Sequence, residues 1–215
     1  MKNILVILFF SIQLTGCAQQ DKAKEPVVLE NPTSQEYAHI DTFYMKLSDA
    51  ALELTKDRVR YDPAYVQIPY PNGDVPADRG VCTDVVIRAY RKLGLDLQKE
   101  VHEDMKENFS LYPSRKIWGL KTTNTNIDHR RVPNLQVFFS RKGIVKPITD
   151  DPDDYLPGDL VTWDLGNGLT HIGIVVARKA QNGKTHGIVH NIGAGQVVQN
   201  CLFTWKITGH YSYKK

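Results

Sequence analysis

The apolar residues of this chain recur with two rhythms, and the order of the rhythms limits the folds open to it. Over residues 35–59, Ile40, Phe43, Tyr44, Leu47, Ala51 and Leu54 return every three or four positions, which predicts one buried helical face. Cys82, Val85, Val86, Ala89, Tyr90 and Leu93 repeat the pattern more clearly, and Gly94 supplies a stop. A shorter helix is expected over 97–109. The prolines of Arg60-Tyr61-Asp62-Pro63 and of the segment from Ile68 to Pro76 forbid continuous helix, and the Thr/Asn-rich stretch 112–134 reads as irregular.

From Leu135 onward the spacing shifts towards strands. Val137-Phe138-Phe139, Leu160-Val161-Thr162-Trp163, Ile172 to Ala177, Gly187 to His190, Val197-Val198-Gln199 and His210 to Tyr213 are the candidates. Asn182-Gly183 is a hairpin signal, and Gly193-Ala194-Gly195 is a second turn. Helices followed by antiparallel strands, without strand–helix–strand alternation, predict an α+β fold with N-terminal helices packed on a C-terminal antiparallel β-sheet.

The N-terminus carries an address. Lys2 precedes the apolar run from Ile4 to Phe10, which is too short to span a bilayer comfortably and reads as a signal peptide over 1–16. Leu14-Thr15-Gly16-Cys17 resembles a bacterial lipobox, in which Cys17 is the lipidation site. Residues 17–34 are a polar tether, leaving 35–215 as one domain held at the cell envelope through its lipid. The net charge of +3 comes without a dense Lys/Arg stripe, which argues against nucleic acid as a partner. A monomer is expected.

A nucleophilic cysteine acts as its thiolate, and the positive end of a helix lowers a thiol pKa. Cys82 is predicted in such a first turn, whose unpaired N–H groups suit an oxyanion. The readings left open for it are packing and a disulfide with Cys201. A base must come from elsewhere. His171 opens an apolar strand, and His190 ends the strand expected to pair with it, so the rings are predicted on one side of the sheet. His190, or its neighbour Asn191, is the candidate orienter of His171. Asp128-His129-Arg130-Arg131 reads as a substrate-facing cluster for carboxylates or as a surface salt-bridge cluster. His102, Asp104, Asp128 and His129 lack metal-ligand spacing, so neither metal nor cofactor is expected.

Cys82 at a helix start, Pro157-Gly158-Asp159-Leu160-Val161 at the start of a strand, His171-Ile172-Gly173-Ile174-Val175, and His190 on the next strand resemble the NlpC/P60 cysteine peptidases. More closely, Gly73 to Val86, Asn126 to Leu135 and His190-Asn191-Ile192-Gly193 resemble the DUF1287 family, a branch related to that superfamily. The resemblance implies a papain-like fold and an exported hydrolase that cuts amide bonds in peptidoglycan stem peptides. It carries over Cys82 as nucleophile, His171 as base, His190 as third polar residue and, more loosely, Tyr70 as an oxyanion auxiliary. Cys82-Thr83-Asp84 departs from the usual Cys-Ser-Gly, and an inward Asp84 carboxylate would oppose a thiolate. The alternatives are a non-catalytic envelope-binding lipoprotein and a papain-like hydrolase or acyltransferase acting on lipid-linked acyl groups.

Overall fold

The computed structural model describes residues 37–180 and 183–215. The expected signal peptide, Cys17 and the tether lie outside the described residues, as does Asn182. Helix α1 (Thr42–Leu54) begins at Asp41, whose carboxylate accepts the Phe43 N–H at 2.8 Å. That cap makes the helix shorter than its apolar rhythm implied. Its buried face carries Leu47, Ala51 and Leu54, and its buried Ser48 hydroxyl accepts the Ala177 N–H at 2.8 Å, tying helix to sheet.

The proline-rich connection that follows is ordered by two very short strands. β1 (Arg60–Tyr61) and β2 (Arg79–Gly80) pair in parallel, with Tyr61 opposite Gly80. Helix α2 (Cys82–Lys92) buries Cys82, Val85, Val86, Ala89 and Tyr90, as its spacing predicts, and Gly94 follows with φ of 79°. The Tyr90 hydroxyl donates to the Tyr213 carbonyl at 2.9 Å, joining this helix to the C-terminal strand region. Helix α3 (Leu97–Asn108) starts at Asp96, which accepts the Gln98 N–H.

Two expectations fail after α3. The stretch read as irregular contains helix α4 (Ser114–Trp118), and a 3-10 turn spans Asp128–Arg130. Val137-Phe138-Phe139, expected as a strand, lies in helix α5 (Val132–Lys142). The reason is visible in its buried side chains: Val132, Leu135, Phe138 and Phe139 have three- and four-residue spacing, and Pro133 suits a first helical turn. A local run of large apolar residues concealed that longer period.

The remaining strands are β3 (Ile144–Val145), β4 (Leu160–Gly166), β5 (Leu169–Lys179), β6 (His186–Asn191), β7 (Gln196–Gln199) and β8 (Lys206–Ser212). They form one antiparallel sheet in the order β3-β8-β4-β5-β6-β7. Helices α1, α2 and α5 contact β5. Leu47, Val85, Leu135, Phe138, Ile172 and Ile174 belong to the larger core between helices and sheet. The other sheet face carries a smaller core of Tyr155, Val161, Trp163, Val175, Ile188 and Leu202. The chain is therefore a mixed α+β fold with helices against an antiparallel sheet. Among the described residues, no helix is long and apolar enough to cross a membrane.

Candidate active site

Cys82 is the first residue of α2, and its surroundings are fixed by polar contacts from three parts of the chain. Asp84 reaches back to accept the Val81 N–H at 2.7 Å, the acid half of a capping arrangement. The same carboxylate takes a two-point ion pair from Arg130, at 2.8 and 2.9 Å. Thr83 donates its hydroxyl to the Arg130 carbonyl at 3.2 Å. Asn191 donates to the Gly80 carbonyl at 3.1 Å, linking β6 to β2 just before Cys82. Gly80 has little room for a side chain, because an added Cβ would stand 3.0 Å from Asp84 Oδ2.

The thiol does not have the lowered pKa expected of a helix start. Burial pushes Cys82 up to about 12, although the Ile172 N–H directed at the sulfur opposes this shift. The Asp84 charge pushes it further up, and the N–H groups of Thr83 and Cys82 itself act against the rise. The resting thiol is neutral because desolvation outweighs the helix end, whose contribution is typically about 0.3–1 kcal/mol.

His171 and His190 meet on the sheet face that carries Trp163. Strand alternation sends His171 to that side, opposite the helix-facing Ile172, and the His171 ring centroid lies 5.9 Å from those of Trp163 and Trp205. His171 Nε2 stands 2.7 Å from His190 Nδ1, and His190 Nε2 stands 2.8 Å from Gln199 Oε1. Gly173 keeps the two strands' side chains compatible, since a Cβ there would lie 2.5 Å from Ile188 Cγ2 and 3.3 Å from His190 Cβ.

These contacts fix a direction for the protons. An amide oxygen only accepts, so His190 Nε2–H donates to Gln199, and His190 Nδ1 accepts from His171 Nε2–H. The remaining nitrogen of neutral His171, Nδ1, therefore carries the lone pair a base needs. Burial, helped by the neighbouring His190, lowers His171 to about 3, and burial lowers His190 to about 4 against the Gln199 hydrogen bond. Both rings are neutral near pH 7. Among the described residues no hydrogen bond joins the Cys82 sulfur to His171. The sulfur lies at the backbone of Ile172, whose side chain faces the helices, whereas the neighbouring His171 faces Trp163 on the other side of the sheet and does not line the Cys82 cleft.

The other predicted positions separate. Tyr70 packs edge-on against His102, with centroids 5.0 Å apart, and is not among the residues lining the Cys82 cleft. Tyr61 lines that cleft instead, brought beside Cys82 by the β1–β2 pairing. Two-residue parallel strands leave no sequence period, which is why Tyr61 escapes a sequence reading. Asn191 holds Gly80, so of the two candidates His190 is the one that contacts His171, and Gln199 in turn holds His190. Asp128, His129 and Arg130 are buried, and of the four predicted residues Arg130 and Arg131 line the Cys82 cleft. Cys82 and Cys201 are free thiols, which overturns the disulfide reading, and the Cys201 sulfur sits 3.7 Å from His190 Nε2. Among the described residues, no group of three or more His, Cys, Asp or Glu is placed to hold a metal ion.

A cleft of about 230 Å³ opens at Cys82, lined by Tyr61, Trp118, Arg130, Arg131 and Thr170 among others. A larger groove of about 660 Å³ between α1 and the end of α2 is lined by no thiol or imidazole. Chemistry therefore favours the smaller one. Residues 48–213, spanning Cys82, His171, His190 and Gln199, match the family model described as "Domain of unknown function (DUF1287)". The chain belongs to the DUF1287 family. It is also 45% identical over 213 residues to "Uncharacterized protein YijF" of Escherichia coli (strain K12), covering 99% of this chain and 98% of that protein. No solved structure matches. Within this DUF1287 chain, the candidate site joins the helix start at Cys82 to the β5–β6–β7 edge of the sheet.

Proposed function

We propose that this protein is an exported cysteine hydrolase of the papain-like, NlpC/P60-related kind, cutting amide bonds in peptidoglycan stem peptides. The observation that carries the reading is the directed chain Gln199–His190–His171, which leaves the His171 Nδ1 lone pair free on the strand whose Ile172 N–H meets the Cys82 sulfur from the opposite face. A helix packed on an antiparallel sheet, with its first residue in a cleft, supports the papain-like assignment. The signal peptide, the lipobox-like Cys17 and the polar tether support attachment to the envelope by a lipid, with the domain outside the bilayer.

In this reading substrate binding brings together the Cys82 sulfur, on the helix side of β5, and the His171 imidazole, on its other side, which requires β5 to shift as well as the side chains. His171 Nδ1 takes the thiol proton while Cys82 Sγ bonds to the amide carbon. The backbone N–H groups of the α2 start face the oxygen that becomes negative. His171 returns the proton to the departing amine, leaving a thioester. Water then attacks the thioester with His171 as base, releasing the acid and restoring the thiol. His190 and Gln199 hold the His171 tautomer throughout.

A second reading, wall binding without turnover, draws on the neutral thiol at about 12. Intact-mass spectrometry after rapid acid quench separates the two. The hydrolase reading predicts a stem-peptide acyl adduct on wild type and none on Cys82→Ala. Turnover without any Cys82-dependent adduct, or peptide binding without turnover, counts against it.

A further inference from the structure

The segment 128–131 divides its polar groups unequally. Asp128 accepts the Asn124 N–H through Oδ2 and the Asn134 side chain through its carbonyl. His129 is buried, and the Arg130 charge is cancelled by Asp84. Arg131 differs. Its backbone is fixed, since its carbonyl accepts the N–H groups of Asn134 and Leu135 at 3.0 and 3.1 Å. Its guanidinium carbon lies 4.0 Å from the Trp118 ring centroid, a cation–π contact that leaves the donor edge of the fork uncommitted. The nearest acid, Asp128, stands 4.0 Å away, beyond hydrogen bonding, and Arg131 Nη1 and Asp128 Oδ1 are both buried without a hydrogen-bond partner. No acidic side chain lines the cleft shared with Cys82.

We propose that Arg131 and Trp118 form a carboxylate-binding subsite, and that the substrate presents a free carboxylate there while Cys82 attacks a neighbouring amide. A planar carboxylate suits the guanidinium fork, and a positive charge only partly offset by Asp128 at 4.0 Å suits a single negative group. Tyr61, Ile127, Val132 and Pro133 give the remaining walls an apolar character matched to a peptide. At about 230 Å³ the cleft is smaller than the roughly 300–1,000 Å³ of sites that enclose whole small molecules, so it takes a short stretch of a longer chain. The inference rests on the hydrolase reading for the amide, and on Arg131 alone for the carboxylate.

Calorimetric titration of the Cys82→Ala protein with a free-acid stem tetrapeptide, and with the same peptide fully amidated, tests it without turnover. The free acid is expected to bind about tenfold tighter or more, the range of a charge-assisted hydrogen bond. Added Arg131→Gln is expected to abolish the difference, and Arg131→Lys to keep only part of it. Equal affinities, a preference that survives Arg131→Gln, or no binding of either peptide would overturn the subsite. If wild type cuts neither peptide while the Arg131-dependent preference persists, the subsite stands and the hydrolase reading falls. Trp118→Ala provides a check outside the charged group: weaker preference for the acid is expected, and an unchanged preference removes Trp118 from the subsite.

Discussion

Cys82, His171 and His190 rest as uncharged groups, each for the same reason: burial disfavours its charged form. Iodoacetamide should therefore alkylate native Cys82 much more slowly at pH 7 than the unfolded chain, whereas a fast native reaction would place a thiolate there. The histidines also make stability depend on pH. Their folded pKa values lie below the unfolded value near 6.5, so the unfolded chain binds more protons as pH falls and stability is lost below that point. Between about pH 6.5 and 4.5, His171 alone accounts for about 2–3 kcal/mol, and His171→Gln should flatten the slope by about 1.4 kcal/mol per pH unit, measured by urea unfolding. Gln199→Leu deprives His190 of its acceptor and His171, the proposed base, of its fixed tautomer. A fall of about tenfold or more in kcat/KM is expected, together with a loss of about 1–3 kcal/mol in unfolding from the unpaired buried N–H. Unaltered kinetics would make Gln199 a structural residue only.

At the scale of elements, α2 and the 3-10 turn Asp128–Arg130 act as one unit through the buried Arg130–Asp84 pair. Arg130→Met should cost about 3–5 kcal/mol by leaving the Asp84 carboxylate unpaired, and adding Asp84→Leu should recover much of that loss in denaturant unfolding. A small effect of Arg130→Met would show that water compensates Asp84. Helix α2 was legible because its apolar stripe is continuous and Gly94 ends it; the His171–His190 pairing was legible because strand alternation and the hairpin signal agree. Helix α5 was misread where three adjacent apolar residues outweighed a three-and-four spacing, and the pairing of Asp84 with Arg130 was hidden because they lie 46 positions apart, although Asp84 does oppose the thiolate as expected. Gln199 lies two residues beyond Val197, which pairs with His190, so it shares the histidine's face once β7 is in register. Without that register it is one polar residue after two valines.

Across the whole molecule, the described residues form a mixed α+β domain whose sheet brings the C-terminal histidines and Gln199 to the vicinity of an N-terminal helix. That division of labour between halves was visible in the order of apolar rhythms, while the separation of Cys82 and His171 onto opposite faces of β5 emerges only once helix α2 is packed on the sheet. The proposed export and lipid attachment predict that Cys17→Ala shifts the protein from membrane to soluble fractions of the cell, with the folded domain unchanged. The central claim is that Cys82 opens an amide bond of the wall. Mass spectrometry of muropeptides released from purified sacculi tests it most directly: wild type should generate fragments ending at one stem-peptide bond, and Cys82→Ala should generate none. Identical fragment patterns from the two proteins would contradict the account.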